Sequence, residues 1–259
     1  MNDGNAMRSE ASVPPFADDW ALFLDVDGTL LDIAGHPDDV AVSPRLQDAL
    51  QLAFQESNGA VALISGRSLS DLDRLFGGPH YPAAGQHGLE RRDSAGRVYR
   101  STGAMERINH AAQTLASQAR MRQGIVVEHK GLSLALHYRN APQMHDWARI
   151  TMHALLMNLG PEFQLMEGKM VYELKPGGRD KGTAIADFMA EPPFAGRVPV
   201  FIGDDVTDED GFTVVNIAGG HSIKVGAGHS LAHWRIDDAQ RVRDWLEAYA
   251  GYLQKGAAT

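Results

Sequence analysis

The chain contains no cysteine. That one absence excludes disulfides, thiolate zinc sites and a cysteine nucleophile, and it fits a cytoplasmic location. No apolar run approaches the ~20 residues needed to cross a bilayer, so no membrane association is expected. The opening stretch, MNDGNAMRSEASVPPF, has no apolar segment behind a basic one and does not read as a secretory signal. Residues 1–18 are expected to form a disordered leader. Basic stretches are missing too. With 33 acidic against 24 basic residues the net charge is −9, which argues against a nucleic-acid partner. An anionic small substrate stays open, provided that local cations or a metal offset the acidity. There is no short-period repeat and no low-complexity tract.

What is present is an ordinary globular balance. Hydrophobic residues make up 44% and charged residues 22% of 259 positions, enough for one large domain or for a core with a smaller companion. Apolar runs alternate with helical patterns. WALFLDV, GAVALIS and VPVFIGDD read as buried strands. SPRLQDALQLAFQES and SLSDLDRLF read as helices, with Ser43 and Ser68 as N-caps and Pro44 at the first helical position of the former. This β-α-β alternation predicts an α/β fold, a Rossmann-like parallel-sheet core covered on both faces. Between about Met105 and Lys175 the pattern changes to helix, hairpin, helix, hairpin, with turns near Lys130-Gly131 and Gly168. The expected organisation is a core of residues 19–104 and 180–259 with a smaller α+β domain, 105–179, inserted into it.

Ligands of parallel α/β sheets bind beyond the carboxyl ends of the strands. Four features fall at such ends or at a helix start. Asp25 and Asp27 follow the first strand, with Gly28 permitting a tight backbone path. Two carboxylates so placed fit a turn or an N-cap. They equally fit a divalent cation with hard oxygen ligands beside a phosphate, Asp25 attacking phosphorus and Asp27 moving the proton. Ser65 and the amide of Gly66 suit a phosphoryl oxygen or a plain loop start. Lys181 opens a helical stretch, where a cation is unfavourable unless an anion is near. GDDVTDED, residues 203–210, packs five acids into eight positions. A solvated loop would tolerate that, but a metal site explains the clustering better, with Asp204 nearest the strand.

Taken together, DVDGTL, SGR, DKG and GDDVTDE resemble, in order and spacing, the four motifs of the haloacid dehalogenase-type phosphohydrolases. The resemblance implies a phosphorylated Asp25, an acid/base Asp27, and Ser65 and Lys181 holding the phosphoryl group. It also implies Mg2+ bound by Asp25, the main-chain carbonyl of Asp27 and Asp204, with Asp205 and Asp208 as metal or water partners. The inserted domain would be a cap that reads the leaving group.

Strand alternation puts Leu132, Leu134, Leu136 and Tyr138 on one face of the inserted sheet and Ser133, Ala135, His137 and Arg139 on the other. Counting through the second hairpin puts Glu167, Lys169, Val171, Glu173 and Lys175 together, opposite Met170, Tyr172 and Leu174. A face with charges of both signs suits a solvated surface or a sugar, whose hydroxyls bond to carboxylates and ammonium groups alike. The segments EHKGLSLALHYR, EGKMVYELKP, ISGRSLSDLDRLF and AGQHGLE are similar to those of trehalose-6-phosphate phosphatases, from about Trp20 to the C-terminal helix. That resemblance implies trehalose 6-phosphate as substrate, contacted by Glu128, Lys130, Arg139, Lys169 and Glu173. Arg67 is a substrate-binding candidate for which a structural role fits equally. His87 and Glu90 fit structural and substrate-contact roles equally. The alternatives are a phosphatase of another sugar phosphate, such as sucrose phosphate, or a non-catalytic sensor. A monomer is expected.

Overall fold

The computed structural model describes residues 13–33, 40–77, 80–100 and 105–256. Residues 1–12 of the expected leader and the expected domain boundary at residue 104 lie outside the described residues.

The first strand, β1 (Trp20–Leu24), is buried at all five positions, so its sequence shows no alternation. In α1 (Pro44–Glu56), Pro44 takes the first turn and the Ser43 side chain accepts from Leu46 N–H. The strand β2 (Val61–Ile64) is again fully buried. The helix α2 (Leu69–Phe76) starts at Ser68, whose hydroxyl accepts from Asp71 N–H. Three short strands follow, β3 (Ala83–Gly85), β4 (Glu90–Arg92) and β5 (Val98–Arg100), which the hydrophobic pattern does not announce. Next come α3 (Met105–Ala119), the hairpin β6 (Val126–His129) and β7 (Leu134–His137), α4 (His145–Leu159), and the hairpin β8 (Phe163–Gly168) and β9 (Val171–Pro176). The chain ends with α5 (Lys181–Met189), β10 (Val198–Gly203), α6 (Glu209–Ile217), β11 (His221–Val225), β12 (Trp234–Ile236) and α7 (Ala239–Gly256). Among the described residues no helix is long and apolar enough to cross a membrane.

The chain forms two compact units, Met1–Leu63 with Ile185–Thr259, and Ile64–Ala184. In the first, parallel strands run in the order β12-β11-β10-β1-β2. Both faces of β1 are covered. Trp20 stacks with Trp245 and Tyr249 of α7 at centroid distances of 6.1 and 5.2 Å. Phe23, three residues on and so on the opposite face, packs on Phe188 of α5 and on Phe194. The register pairs Leu24 with Ile202 and Gly203 with Lys224, which brings the carboxyl ends of β1, β10 and β11 level.

In the second unit β3, β4 and β5 are antiparallel, and a separate antiparallel sheet has the order β6-β7-β9-β8. One face of that sheet, with Leu134, Leu136, Tyr138, Tyr172 and Leu174, is buried under Ile108, Leu115, Met152 and Leu155 of α3 and α4. The opposite face carries Glu128, Lys130, Ser133, His137 and Glu173. Glu167 departs from the expected face. Its partner across the ladder is Tyr172, whose hydroxyl donates to Glu167 Oε1 at 3.2 Å, while Met166 lies opposite Glu173. The hairpin turns through two residues, Lys169 and Met170, the latter at φ +65°. Cross-strand pairing, not continuous alternation, therefore decides the face.

Candidate active site

Asp25 follows directly on β1 and is 4% exposed, and Asp208 is fully buried. With the half-buried Asp204, which follows β10, they bring carboxylate oxygens within 4.8 Å of one another. Three like charges at that separation repel strongly where water is scarce. The backbone is shaped to hold them there. Gly28, at φ +86°, donates its N–H to Leu31 O at 2.7 Å, and a Cβ on it would fall on the Asp204 carboxylate. A Cβ on Gly203 would likewise collide with the Asp208 carboxylate. Asp208 Oδ2 accepts from Asp205 N–H at 2.9 Å, and the exposed Asp205 carboxylate caps the same turn by accepting from Asp208 N–H. Asp205 thus serves the turn that orients Asp208. Asp27 is half-buried, in an isolated bridge to Leu31, and lies outside the three-carboxylate group. Three converging carboxylates fit a hard divalent cation such as Mg2+.

Sequence reasoning missed Lys224. It is 6% exposed, and its ammonium donates to the main-chain carbonyls of Asp204 and Val225. A fixed cation therefore stands at the start of the acidic loop. The signal was a lysine in the buried strand HSIKV, where that residue type is rarely found.

In the second unit Ser65 is fully buried, with its N–H on Ala84 O at 2.9 Å. Ser65 Oγ accepts from Arg67 N–H at 3.1 Å. The following loop is tied to Gln86 and His87. Gln86 N–H donates to Arg67 O at 2.8 Å and His87 N–H to Ser65 O at 3.0 Å. Both residues hold left-handed backbone, φ +49° and +56°, which is strained for side chains of this size. The imidazole lies so close to Gly66 that a Cβ there would sit 2.8 Å from His87 Nε2. Lys181 is 3% exposed at the first position of α5. The preceding Asp180 accepts from Thr183 N–H at 2.7 Å and caps the helix. Gly88 sits against the Asp180 carbonyl, with no room for a Cβ. The Ser65 loop and the start of α5 are thus both packed on residues 86–88.

The charged face is organised around Glu173. Ser133 Oγ donates to Glu173 Oε1 at 2.6 Å, and Lys130 Nζ lies 3.5 Å from Glu173 Oε2 and 3.9 Å from Glu128. Burial pushes the Glu173 carboxyl up, but Lys130, the Ser133 hydroxyl and Lys175 outweigh it and hold the group below the usual carboxylate range. The His137 hydrogen bond, at 2.9 Å, holds Glu128 low in the same way. Arg139, beyond β7, and Lys169, in the β8–β9 turn, are exposed. Burial and the fields of Lys181, Lys175 and Lys130, opposed by Glu173, drive the His87 imidazole down to about 3. His87 is therefore neutral at physiological pH, and its buried Nδ1 has no hydrogen-bond partner among the described residues. Three lysines thus place positive charge around this imidazole. Glu90, whose role the sequence left open, is 4% exposed and tied into the fold. It accepts from Leu69 N–H at 2.7 Å and from Gln86 Nε2 at 3.3 Å, and Arg100 lies on its other oxygen.

Comparison with known proteins bears on the fold and the family. The fold resembles that of a trehalose-6-phosphate phosphatase related protein, with TM-score 0.77, 23% identity, and 90% of this chain and 99% of that chain covered. It also resembles a phosphatase of the haloalkanoate (HAD) enzyme superfamily from Bacteroides thetaiotaomicron, with TM-score 0.62, 18% identity and 93% and 99% covered. At such identities the likeness speaks for the fold alone. In sequence, the trehalose-6-phosphate phosphatase of Escherichia coli (strain K12) is 44% identical over 245 residues, 93% of this chain and 91% of that one. The model of the trehalose-phosphatase family matches residues 23–241, a span that includes all three clustered carboxylates, Ser65 and Lys181. The chain belongs to the trehalose-phosphatase family.

Proposed function

We propose that this protein hydrolyses trehalose 6-phosphate to trehalose and phosphate through a phosphorylated Asp25, with Mg2+ bound. On a chain of this family, the convergence of Asp25, Asp204 and Asp208 is the observation that carries the reading. These carboxylates and the Asp27 carbonyl would hold the ion, with Asp205 supporting Asp208 through their shared turn. Bound there, Mg2+ supplies positive charge that offsets the repulsion between Asp25 and the substrate phosphate.

Asp25 attacks phosphorus, forming one P–O bond as the bond to the sugar oxygen breaks. Asp27 gives its proton to that oxygen, so trehalose leaves as the neutral alcohol. Asp27, now a carboxylate, takes a proton from water, which attacks the aspartyl phosphate and frees phosphate and Asp25. Ser65, Gly66, Arg67 and Lys181 hold the phosphoryl oxygens throughout. Positioning and electrostatic stabilisation carry most of the acceleration, as in other phosphoryl transfers. Residues 105–179 act as the cap on a core of residues 19–104 and 180–259. Glu128, Lys130 and Glu173 take the sugar hydroxyls, helped by Arg139 and Lys169. A face that both accepts and donates hydrogen bonds suits a neutral polyol better than a second anion.

Phosphate release measured beside glucose 6-phosphate and sucrose 6-phosphate tests this. The expected kcat/KM for trehalose 6-phosphate is at least ~100-fold higher, since a site built for hydroxyls rejects partners that leave its polar groups unpaired. Equal rates on all three would remove the disaccharide from the assignment and leave a general sugar phosphatase.

A further inference from the structure

Gln86 stands where three parts of the second unit meet. Its side chain is 4% exposed and both ends of its amide are used. Oε1 accepts from Leu132 N–H at 3.1 Å, in the β6–β7 turn. Nε2 donates to Glu90 Oε1 at 3.3 Å, the same oxygen that takes Leu69 N–H at the start of α2. Its main-chain N–H is bonded separately to Arg67 O. The turn it anchors closes on itself, Lys130 N–H donating to Ser133 O at 3.0 Å. That turn carries Lys130 and Ser133, the two residues that bond to Glu173.

We propose that Gln86 is a positioning residue for substrate selection, its buried amide fixing the Lys130–Ser133 turn to the Ser65–Arg67 loop so that Lys130 and Glu173 meet the leaving group. This rests on the reading of that charged face as the sugar site. Through Leu132 N–H the Gln86 side chain holds this turn's main chain. The register between the turn and the loop therefore depends on that bond. A shorter or apolar residue would leave the turn folded on its own hydrogen bond but free to shift. The Gln86 main-chain bond to Arg67 survives any such substitution, so the phosphate loop keeps its support.

Two substitutions test this. Gln86→Met keeps the length and loses both side-chain bonds. Gln86→Asn keeps the amide one methylene too short, and asparagine tolerates the left-handed backbone here. Each variant and the wild type are assayed on trehalose 6-phosphate and on p-nitrophenyl phosphate, which has no sugar, with thermal unfolding as the control for folding. Either variant is expected to raise KM for trehalose 6-phosphate ~10-fold, as for a lost buried hydrogen bond, and to leave kcat/KM for the aryl phosphate within ~2-fold. If one variant does not fold, the other carries the test. An unchanged KM in a folded variant overturns the proposal, and so does a parallel loss on both substrates. Failure of the wild type to release phosphate from trehalose 6-phosphate would instead overturn the substrate reading, and it is seen before any variant is assayed.

Discussion

Asp25→Asn is expected to lower trehalose 6-phosphate turnover by ~10⁴-fold or more, the scale of losing a nucleophile, while the protein stays folded. Asparagine has the same shape, and the main-chain bond from residue 25 N–H to Ile202 O, 3.0 Å, is untouched. What is lost is the oxygen anion that the proposed mechanism uses to attack phosphorus. Stability should move the other way. The wild type holds three carboxylates within 4.8 Å, and removing one charge relieves repulsion. In EDTA the variant should therefore unfold at the same temperature as the wild type or higher. Steady-state phosphate release and a thermal melt read both effects. A folded variant within tenfold of wild-type activity would rule out Asp25 as the nucleophile.

Gly28→Ala should damage the site by geometry alone. The position has φ +86°, and a methyl there overlaps the Asp204 carboxylate. Backbone strain costs about 1–3 kcal/mol of stability. The collision forces Asp204 out of the three-carboxylate group, and a displacement of about 1 Å in such a site costs ~100-fold in rate. Gly96→Ala is the control. Its φ is +79°, but among the described residues nothing lies within 4 Å of the added methyl. It should lose comparable backbone stability and keep full activity. Equal activity of the two variants would mean that the close approach at Gly28 is not what holds Asp204 in place.

These residues also show which parts of the molecule could be read from the sequence. Ser43 and Ser68 were legible as caps because each bonds to an N–H three residues on. The buried strands were legible because five-residue apolar runs such as WALFL have no other use in a chain that alternates with amphipathic helices. Asp25 and Asp204 were legible because acids that directly follow buried strands conflict with their surroundings. Gln86 and Lys224 were not, since their partners lie 46 and 20 residues away and only the fold brings them together. Strands of three residues, such as β3 and β4, are too short for alternation to register. Glu167 was misplaced because a two-residue turn resets the face count, and turn length is a property of the pairing. Asp205 stands out by composition, while the bond its carboxylate accepts from Asp208 N–H is visible only once the turn is built.

The central claim is metal-dependent hydrolysis of trehalose 6-phosphate, and phosphate release by the purified protein tests it most directly. The assay is run after EDTA treatment and again after adding Mg2+ in excess. The expected result is turnover that vanishes with EDTA and returns with Mg2+, because in the proposed mechanism Asp25, Asp204 and Asp208 hold a cation that offsets the charge of the approaching phosphate dianion. Turnover that survives complete chelation, or none from trehalose 6-phosphate with Mg2+ restored, would contradict it.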